Sequence, residues 1–366
     1  MSDGVPMLRP LAQVYDVALL DLDGVVYLGD LAVAGAAEAL AAAGRLGLGR
    51  VFVTNNASRT PLAVARQLVS LGIPAHADEI VTSAQAAAVR LGELLPVGAR
   101  VLVVGGEGLV EAVQQRGLTP VSSADDGPEA VVQGFSPTTT WQMLMEACVS
   151  VRTGIPWIVT NVDATLPTPR GEGPGNGALV DIVRTATGRY PDEVAGKPFA
   201  PIMQEARRRR LAERPLVVGD RLDTDIEAAR AAGMDSLLVL TGVTGTAALL
   251  DCPPDRRPTY VAAGLTALLE PARVPEEDDG WWRCGDAAAR LEAPNDGRCG
   301  EVTLTVRVDG QLLMERPEDQ LDPRTAADVV HASAAARWSW LDPSPDVTSL
   351  VRAALTSWAA PFGWDR

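Results

Sequence analysis

From Val17 to Leu240, short β-branched or leucine runs alternate with alanine-rich stretches of helical length, and this alternation constrains the fold more than any other feature of the chain. A strand covered by helices on both faces reads as an unbroken apolar run. Residues 17–22, 51–53, 101–104, 157–159, 216–218 and 237–240 are such runs, so the expectation is an α/β architecture with parallel sheet. Each run closes on glycine or polar residues. Ligands of open α/β sheets bind beyond the carboxyl ends of the strands, which is therefore where chemistry should lie.

The side chains available for that chemistry are restricted. Among 366 residues there are two histidines, His76 and His331, and four scattered cysteines, Cys148, Cys252, Cys284 and Cys299, without a Cys-x-x-Cys pair. That argues against structural zinc and against histidine-based triads, leaving carboxylates to do acid-base work. A net charge of −15 repels nucleic acid and anionic membranes, so neither is an expected partner. No apolar run of spanning length and no basic-then-apolar leader is visible, and a soluble cytoplasmic chain is the expectation. An anionic small molecule could bind only where a metal, a lysine or helix N-termini make the site locally positive.

Four strand-end segments meet that condition. Asp21-Leu22-Asp23-Gly24 ends the first strand in two carboxylates and a glycine that lets the chain turn away. Such a pair is costly unless a cation binds or one member is protonated. Thr54-Asn55-Asn56 follows the second strand, and Thr54 with the backbone N–H groups after it can hold phosphoryl oxygens. Gly196-Lys197-Pro198 places an ammonium directly before a helix. Gly219-Asp220-Arg221-Leu222-Asp223-Thr224-Asp225 ends another apolar strand in a carboxylate, with Asp220 able to complete a metal site with Asp21. Singly, these segments suit solvated turns or helix caps. As an ordered set at strand ends they point to phosphoryl transfer.

Together the four resemble the motifs of the haloacid dehalogenase-like hydrolase superfamily. The interval of about 140 residues between Thr54 and Lys197 resembles the branch with a large α/β cap, which includes nitrophenylphosphatase-like and phosphoglycolate phosphatase-like enzymes. Thr160-Asn161-Val162-Asp163 and Pro174-Gly175-Asn176-Gly177 resemble that branch too. The resemblance implies a Rossmann-like parallel-sheet core over residues 1–82 and 193–270, with an inserted cap over 83–192. It implies a phosphatase with Asp21 as nucleophile, Asp23 as general acid and base, and Mg²⁺ on Asp21, Asp220 and the main-chain carbonyl of Asp23. Thr54, Asn55, Asn56 and Lys197 would bind the phosphate, and Asp225 would orient Lys197 or the metal's waters.

Residues 271–280 read as a charged, proline-containing linker, followed by a small α+β unit over 281–366. Strands are expected at 301–308 and 311–315 and helices at 324–338 and 347–359, with Trp281, Trp282, Trp338, Trp340, Trp358 and Trp364 used in packing. This layout resembles actinobacterial glycerol-3-phosphate phosphatases, whose C-terminal part is related to GNAT acetyltransferases. No Arg/Gln-x-x-Gly-x-Gly/Ala loop occurs after residue 275, so a docking or homo-oligomerisation role is expected there and acetyl transfer is not. Few cap aromatics (Phe135, Trp141, Trp157, Tyr190) favour a small polyol or sugar phosphate over a stacked base, and the resemblance implies glycerol 3-phosphate as the best substrate. Substrates kept in view are 2-phosphoglycolate, a sugar phosphate and pyridoxal phosphate. Other readings are a phosphomutase, a phosphoacceptor signalling domain and a non-catalytic binding protein; the large insertion opposes the signalling domain.

Overall fold

The computed structural model describes residues 9–168, 170–292, 303–313, 321–339 and 364. The chain divides into two compact units, residues 1–49 with 214–366, and residues 50–213.

In the first unit, Val17–Leu20, Pro215–Gly219, Asp235–Val239 and Tyr260–Ala262 form parallel sheet in that spatial order. Leu20 lies beside Val218 and Val218 beside Leu237, so the strands' carboxyl ends come level. All four residues of Val17–Leu20 and all five of Pro215–Gly219 are buried, as double-sided cover requires. Helix Ala36–Arg45 presents Ala36, Ala39, Leu40 and Ala43 as its buried stripe, the spacing of one helical face.

The C-terminal part of this unit is an antiparallel sheet of Glu276–Asp278, Trp281–Cys284, Ala287–Glu292, Thr303–Val308 and Gln311–Leu312. The stretch read as a linker thus supplies an edge strand, because Glu276, Glu277 and Asp278 pair with Arg283, Trp282 and Trp281 and need no buried face to do so. The long helix Pro323–Ser339 covers the sheet. Its start is built by Asp322, whose carboxylate accepts from the Thr325 hydroxyl and from the N–H groups of Arg324 and Thr325. Those bonds, the Thr325 hydroxyl foremost, hold the Asp322 carboxyl below its ordinary range. The strand expected at 311–315 ends at Leu312, and Leu313 beyond it is buried; residues 301, 302, 314 and 315, the expected helix at 347–359, and Trp340 and Trp358 lie outside the described residues.

A single apolar cluster joins this sheet and helix to the parallel sheet. Leu222, Ile226, Leu238, Leu240 and Leu249 belong to it, and so do Ala289, Leu291, Val306, Val308, Val330 and Trp364. Each large side chain so buried contributes roughly 1.5–3 kcal/mol. His331, on the helix, is buried in the same unit, its Nδ1 meeting no hydrogen-bond partner among the described residues. Burial pushes its imidazole down to about 3. The folded state therefore resists a proton that the unfolded chain takes up near its ordinary value of 6.5. Stability is full above that value and declines below it, by about 1.4 kcal/mol per pH unit until the folded imidazole titrates. Melting curves from pH 7 to pH 5 are expected to fall more steeply for the wild type than for His331→Leu; parallel curves would show that another group governs the acid limb.

The second unit contains the parallel sheet Glu193–Val194, Trp157–Val159, Ala130–Gln133, Arg100–Val104 and Thr119–Val121, in that spatial order. Helices Ser83–Leu94, Glu107–Gln115, Trp141–Arg152 and Asn176–Thr187 accompany it. Trp157 lies wholly inside, against Leu144, Val151 and Val183 among others. The strand Gly49–Thr54 runs into this unit and pairs in parallel with Ile80–Thr82, whose last residue caps helix Ser83–Leu94 through a reciprocal Thr82–Gln85 box. Among the described residues no helix is long and apolar enough to cross a membrane.

Candidate active site

In the first unit the chain end of Val17–Leu20 continues the ladder for one residue, since Asp21 N–H donates to Val218 O at 2.9 Å. A tight turn follows, with Gly24 N–H on Tyr27 O at 2.8 Å and Gly24 at φ +83°, a conformation that favours glycine. The neighbouring strand Pro215–Gly219 delivers Asp220, and a π-helical turn, Leu222–Ile226, delivers Asp225. Turns of this type recur at functional sites, where the wider loop aims a side chain. Here Asp225 accepts from Arg221 N–H at 3.1 Å and is buried, as is Asp220.

Asp21, Asp220 and Asp225 each offer a carboxylate oxygen, and the three oxygens lie within 4.8 Å of one another. Ionised carboxylates this close repel until a cation sits among them, and their hard oxygens suit Mg²⁺ or a similar ion. The residues present therefore fit the metal that the motifs imply. Asp225, expected only to orient other groups, brings its own carboxylate into the cluster. Asp23 is exposed and is not a member of this cluster. Protein packed around it nevertheless raises its carboxyl above the ordinary range, against the opposing hydrogen bonds of the Gly29 and Gly24 backbone. A carboxyl so raised keeps its proton more readily than an ordinary aspartate, as proton donation requires.

Backbone closes tightly on Asp220. A Cβ added at Gly24 would meet its Cγ and Oδ2 at 2.4 Å, and one added at Gly242 would meet Oδ2 at 2.0 Å. Val243 N–H donates to Oδ2 at 2.7 Å, and the Thr241 hydroxyl donates to Gly24 O at 2.6 Å. Gly242→Ala is expected to push the carboxylate aside and lower kcat about 100-fold while the protein stays folded. Steady-state kinetics beside a melting curve check this; unchanged kcat would mean that Asp220 tolerates displacement. Residue-type reasoning passed over Thr241-Gly242-Val243, whose contributions are mostly backbone. The available signal was the glycine just beyond the apolar run ending at Leu240.

The second unit gathers the other two segments. Thr54 closes Gly49–Thr54, and its Oγ1 accepts Asn56 N–H at 3.1 Å, while Asn56 Oδ1 accepts from Ser58 N–H and hydroxyl. The Asn55 side chain spans to the Gly196-Lys197 loop. Its Oδ1 accepts Lys197 N–H at 2.8 Å, and its Nδ2 donates to Lys197 O at 3.0 Å and to Asp163 Oδ2 at 3.1 Å. Expected to serve through its N–H alone, Asn55 is also a clamp. Ser83 Oγ and Asn161 Nδ2 both donate to Asn55 O, and Asn176 Nδ2 donates to Asn161 O. Asn161, Asp163 and Asn176 are thus engaged in structure. Gly196 leaves no room for a side chain, since a Cβ would meet Thr160 O at 2.4 Å and Asn55 Oδ1 at 2.6 Å. Lys197 is buried, with Nζ 3.4 Å from Val53 O. The unit so holds a desolvated cation and a hydroxyl, groups that suit a phosphoryl anion.

Comparison with known proteins bears on both units. The haloacid dehalogenase-like hydrolase family model matches residues 18–119, and a HAD-hydrolase-like model matches residues 194–268. The D-glycerol 3-phosphate phosphatase of Mycobacterium tuberculosis is 48% identical over 267 residues, covering 73% of this chain and 74% of that protein. The 5'-nucleotidase YutF of Bacillus subtilis is 37% identical over 257 residues, covering 70% of this chain and 98% of its own. The crystal structure of a Mycobacterium tuberculosis glycerol phosphate phosphatase in complex with magnesium aligns at TM-score 0.79 and 41% identity, over 96% of this chain and 99% of the other.

Proposed function

Because this chain belongs to the haloacid dehalogenase-like hydrolase family, we propose that it is a magnesium-dependent phosphatase that hydrolyses glycerol 3-phosphate to glycerol and phosphate. The observation that carries the reading is the cluster of Asp21, Asp220 and Asp225 oxygens within 4.8 Å at the carboxyl ends of buried strands.

In the proposed reaction an Asp21 carboxylate oxygen attacks phosphorus in line, and the bond from phosphorus to the glycerol oxygen breaks. Asp23 gives its proton to that departing oxygen, leaving an aspartyl-phosphate on Asp21. Asp23, now ionised, takes a proton from the water that attacks phosphorus in the second step. The bond to Asp21 breaks, phosphate leaves, and both aspartates return to their starting states. Asp21, Asp220 and the Asp23 main-chain carbonyl would hold Mg²⁺, with Asp225 beside them, and the ion when bound neutralises charge that would otherwise oppose attack. Thr54, the N–H groups of Asn55 and Asn56, and Lys197 take the phosphate oxygens. The Asn55 clamp keeps Lys197 in its loop.

Glycerol 3-phosphate is preferred over a nucleotide because the mycobacterial glycerol 3-phosphate phosphatase is 48% identical and the nucleotidase 37%, over 73% and 70% of this chain. Structural similarity to a mycobacterial glycerol phosphate phosphatase also extends over 96% of this chain. The test is release of inorganic phosphate, with Mg²⁺, from glycerol 3-phosphate, 2-phosphoglycolate, sugar phosphates, nucleoside monophosphates and pyridoxal phosphate. Glycerol 3-phosphate is expected to exceed each of the others in kcat/KM by about tenfold or more. A comparable lead for another ester would overturn the substrate, and no release from any of them would overturn the phosphatase.

A further inference from the structure

The loop that closes on Asp220 is held at its far end by the C-terminal part of the chain. Leu240 N–H donates to Ala262 O at 3.0 Å as the strand Asp235–Val239 ends. The next residues turn to the acidic cluster, with the Thr241 hydroxyl on Gly24 O and the N–H groups of Val243 and Thr244 on Asp220 Oδ2 and O. The Val243 side chain is exposed, so it does not pin the loop by packing. Three residues after Val243, Thr246 N–H donates to Trp364 O at 3.0 Å. That N–H opens the helix Thr246–Leu250 and, like every first-turn donor, has no partner within its own helix. Thr246 is buried, so water is a poor substitute. At the other end of this helix, Trp338 Nε1 donates to Leu249 O at 3.1 Å. Both indoles pack with the cluster that includes Leu249 and Leu250.

We propose that Trp364 and Trp338 are positioning residues for Asp220. They fix residues 246–250, and those residues in turn fix the loop that places Val243 N–H and Gly242 against the carboxylate. This rests on the reading of Asp220 as a metal ligand and assigns the C-terminal unit a part in the hydrolase reaction without any second activity. Removing the Trp364 side chain takes its indole out of the cluster that holds Leu249 and Leu250, and the main-chain carbonyl, which the substitution keeps, loses the packing that holds it on Thr246 N–H. The consequence reaches the metal because no more than three residues separate Thr246 from the N–H that holds Oδ2.

The test uses the full chain and Mg²⁺ alone. Isothermal calorimetry of Trp364→Ala is expected to give Mg²⁺ binding about tenfold weaker than wild type, the scale of coupling through packed networks, with Trp364→Phe within about twofold. Hydrogen exchange of the Val243 and Thr246 amides is expected to accelerate in Trp364→Ala and not in Trp364→Phe. A lower Tm with unchanged Mg²⁺ affinity and unchanged Val243 exchange would overturn the proposal, leaving Trp364 a packing residue. Should Trp364→Ala fail to fold, Trp338→Phe keeps most of the ring and loses the bond to Leu249 O. It is expected to weaken Mg²⁺ binding about threefold, and unchanged affinity would likewise overturn the coupling. A wild type that binds Mg²⁺ yet releases no phosphate would overturn the phosphatase reading while leaving the coupling measurable.

Discussion

Asp21→Asn is expected to lower turnover by more than about 10⁴-fold while the protein remains folded. The amide keeps the shape of the carboxylate and the Asp21 N–H bond to Val218 O is untouched, so the strand end is preserved. Attack on phosphorus is lost, because an amide is a poor nucleophile and cannot form the aspartyl-phosphate. The substitution also removes one of three carboxylates whose oxygens lie within 4.8 Å, which relieves repulsion in the metal-free protein. Its melting temperature without Mg²⁺ is therefore expected to equal or exceed that of wild type. Phosphate release and a thermal melt in parallel decide the matter. Turnover above about one per cent of wild type would place the nucleophile elsewhere; a large fall in melting temperature would show that the loss came from unfolding.

The strands that carry the acidic cluster were legible because burial on two faces leaves an unbroken apolar run, and such runs end where the chain meets the site. Trp157–Val159 and Arg100–Val104 lie where their runs predict them, and Val17–Leu20 stops two residues before its run because Leu22 belongs to the turn. Asp21 and Asp220 could be named from the residue types at those ends. Less visible were contributions made by main chain: Val243 N–H, and the absence of a Cβ at Gly24 and Gly242, have no chemical signature of their own. The same holds for Asn55, whose amide could be foreseen as polar but not as bonded to both main-chain atoms of Lys197, 142 residues away. The C-terminal unit shows a further limit. Alternation in 303–308 announces one buried face without saying what covers it, and the cover includes a helix and, beyond it, the apolar cluster shared with Leu238 and Leu249. Residues 276–278, charged and exposed, looked like linker because an edge strand needs only a pairing partner.

Chelation is expected to bring hydrolysis below about one per cent of the Mg²⁺-supplied rate, and added Mg²⁺ to restore it, because the acidic cluster works against the reaction when bare. A phosphomonoester brings further negative charge toward an attacking carboxylate that already has Asp220 and Asp225 beside it. In the proposed reaction Lys197 would supply one positive charge, and a single ammonium cannot offset three carboxylates and a phosphate. A divalent ion changes the sign of the problem, since the oxygens that repel one another become its ligands. The same reasoning predicts a stability effect: Mg²⁺ at about 100 times its Kd adds about 2.7 kcal/mol, read as a rise in melting temperature. Asp220→Asn and Asp225→Asn are each expected to shrink that rise, with Asp225 the more informative because its carboxylate joins the cluster from a π-helical turn. If Asp225→Asn left the Mg²⁺-dependent rise intact, its carboxylate would be acting on neighbouring groups and not on the ion. Full hydrolysis in a thoroughly chelated sample would remove the metal from the reaction.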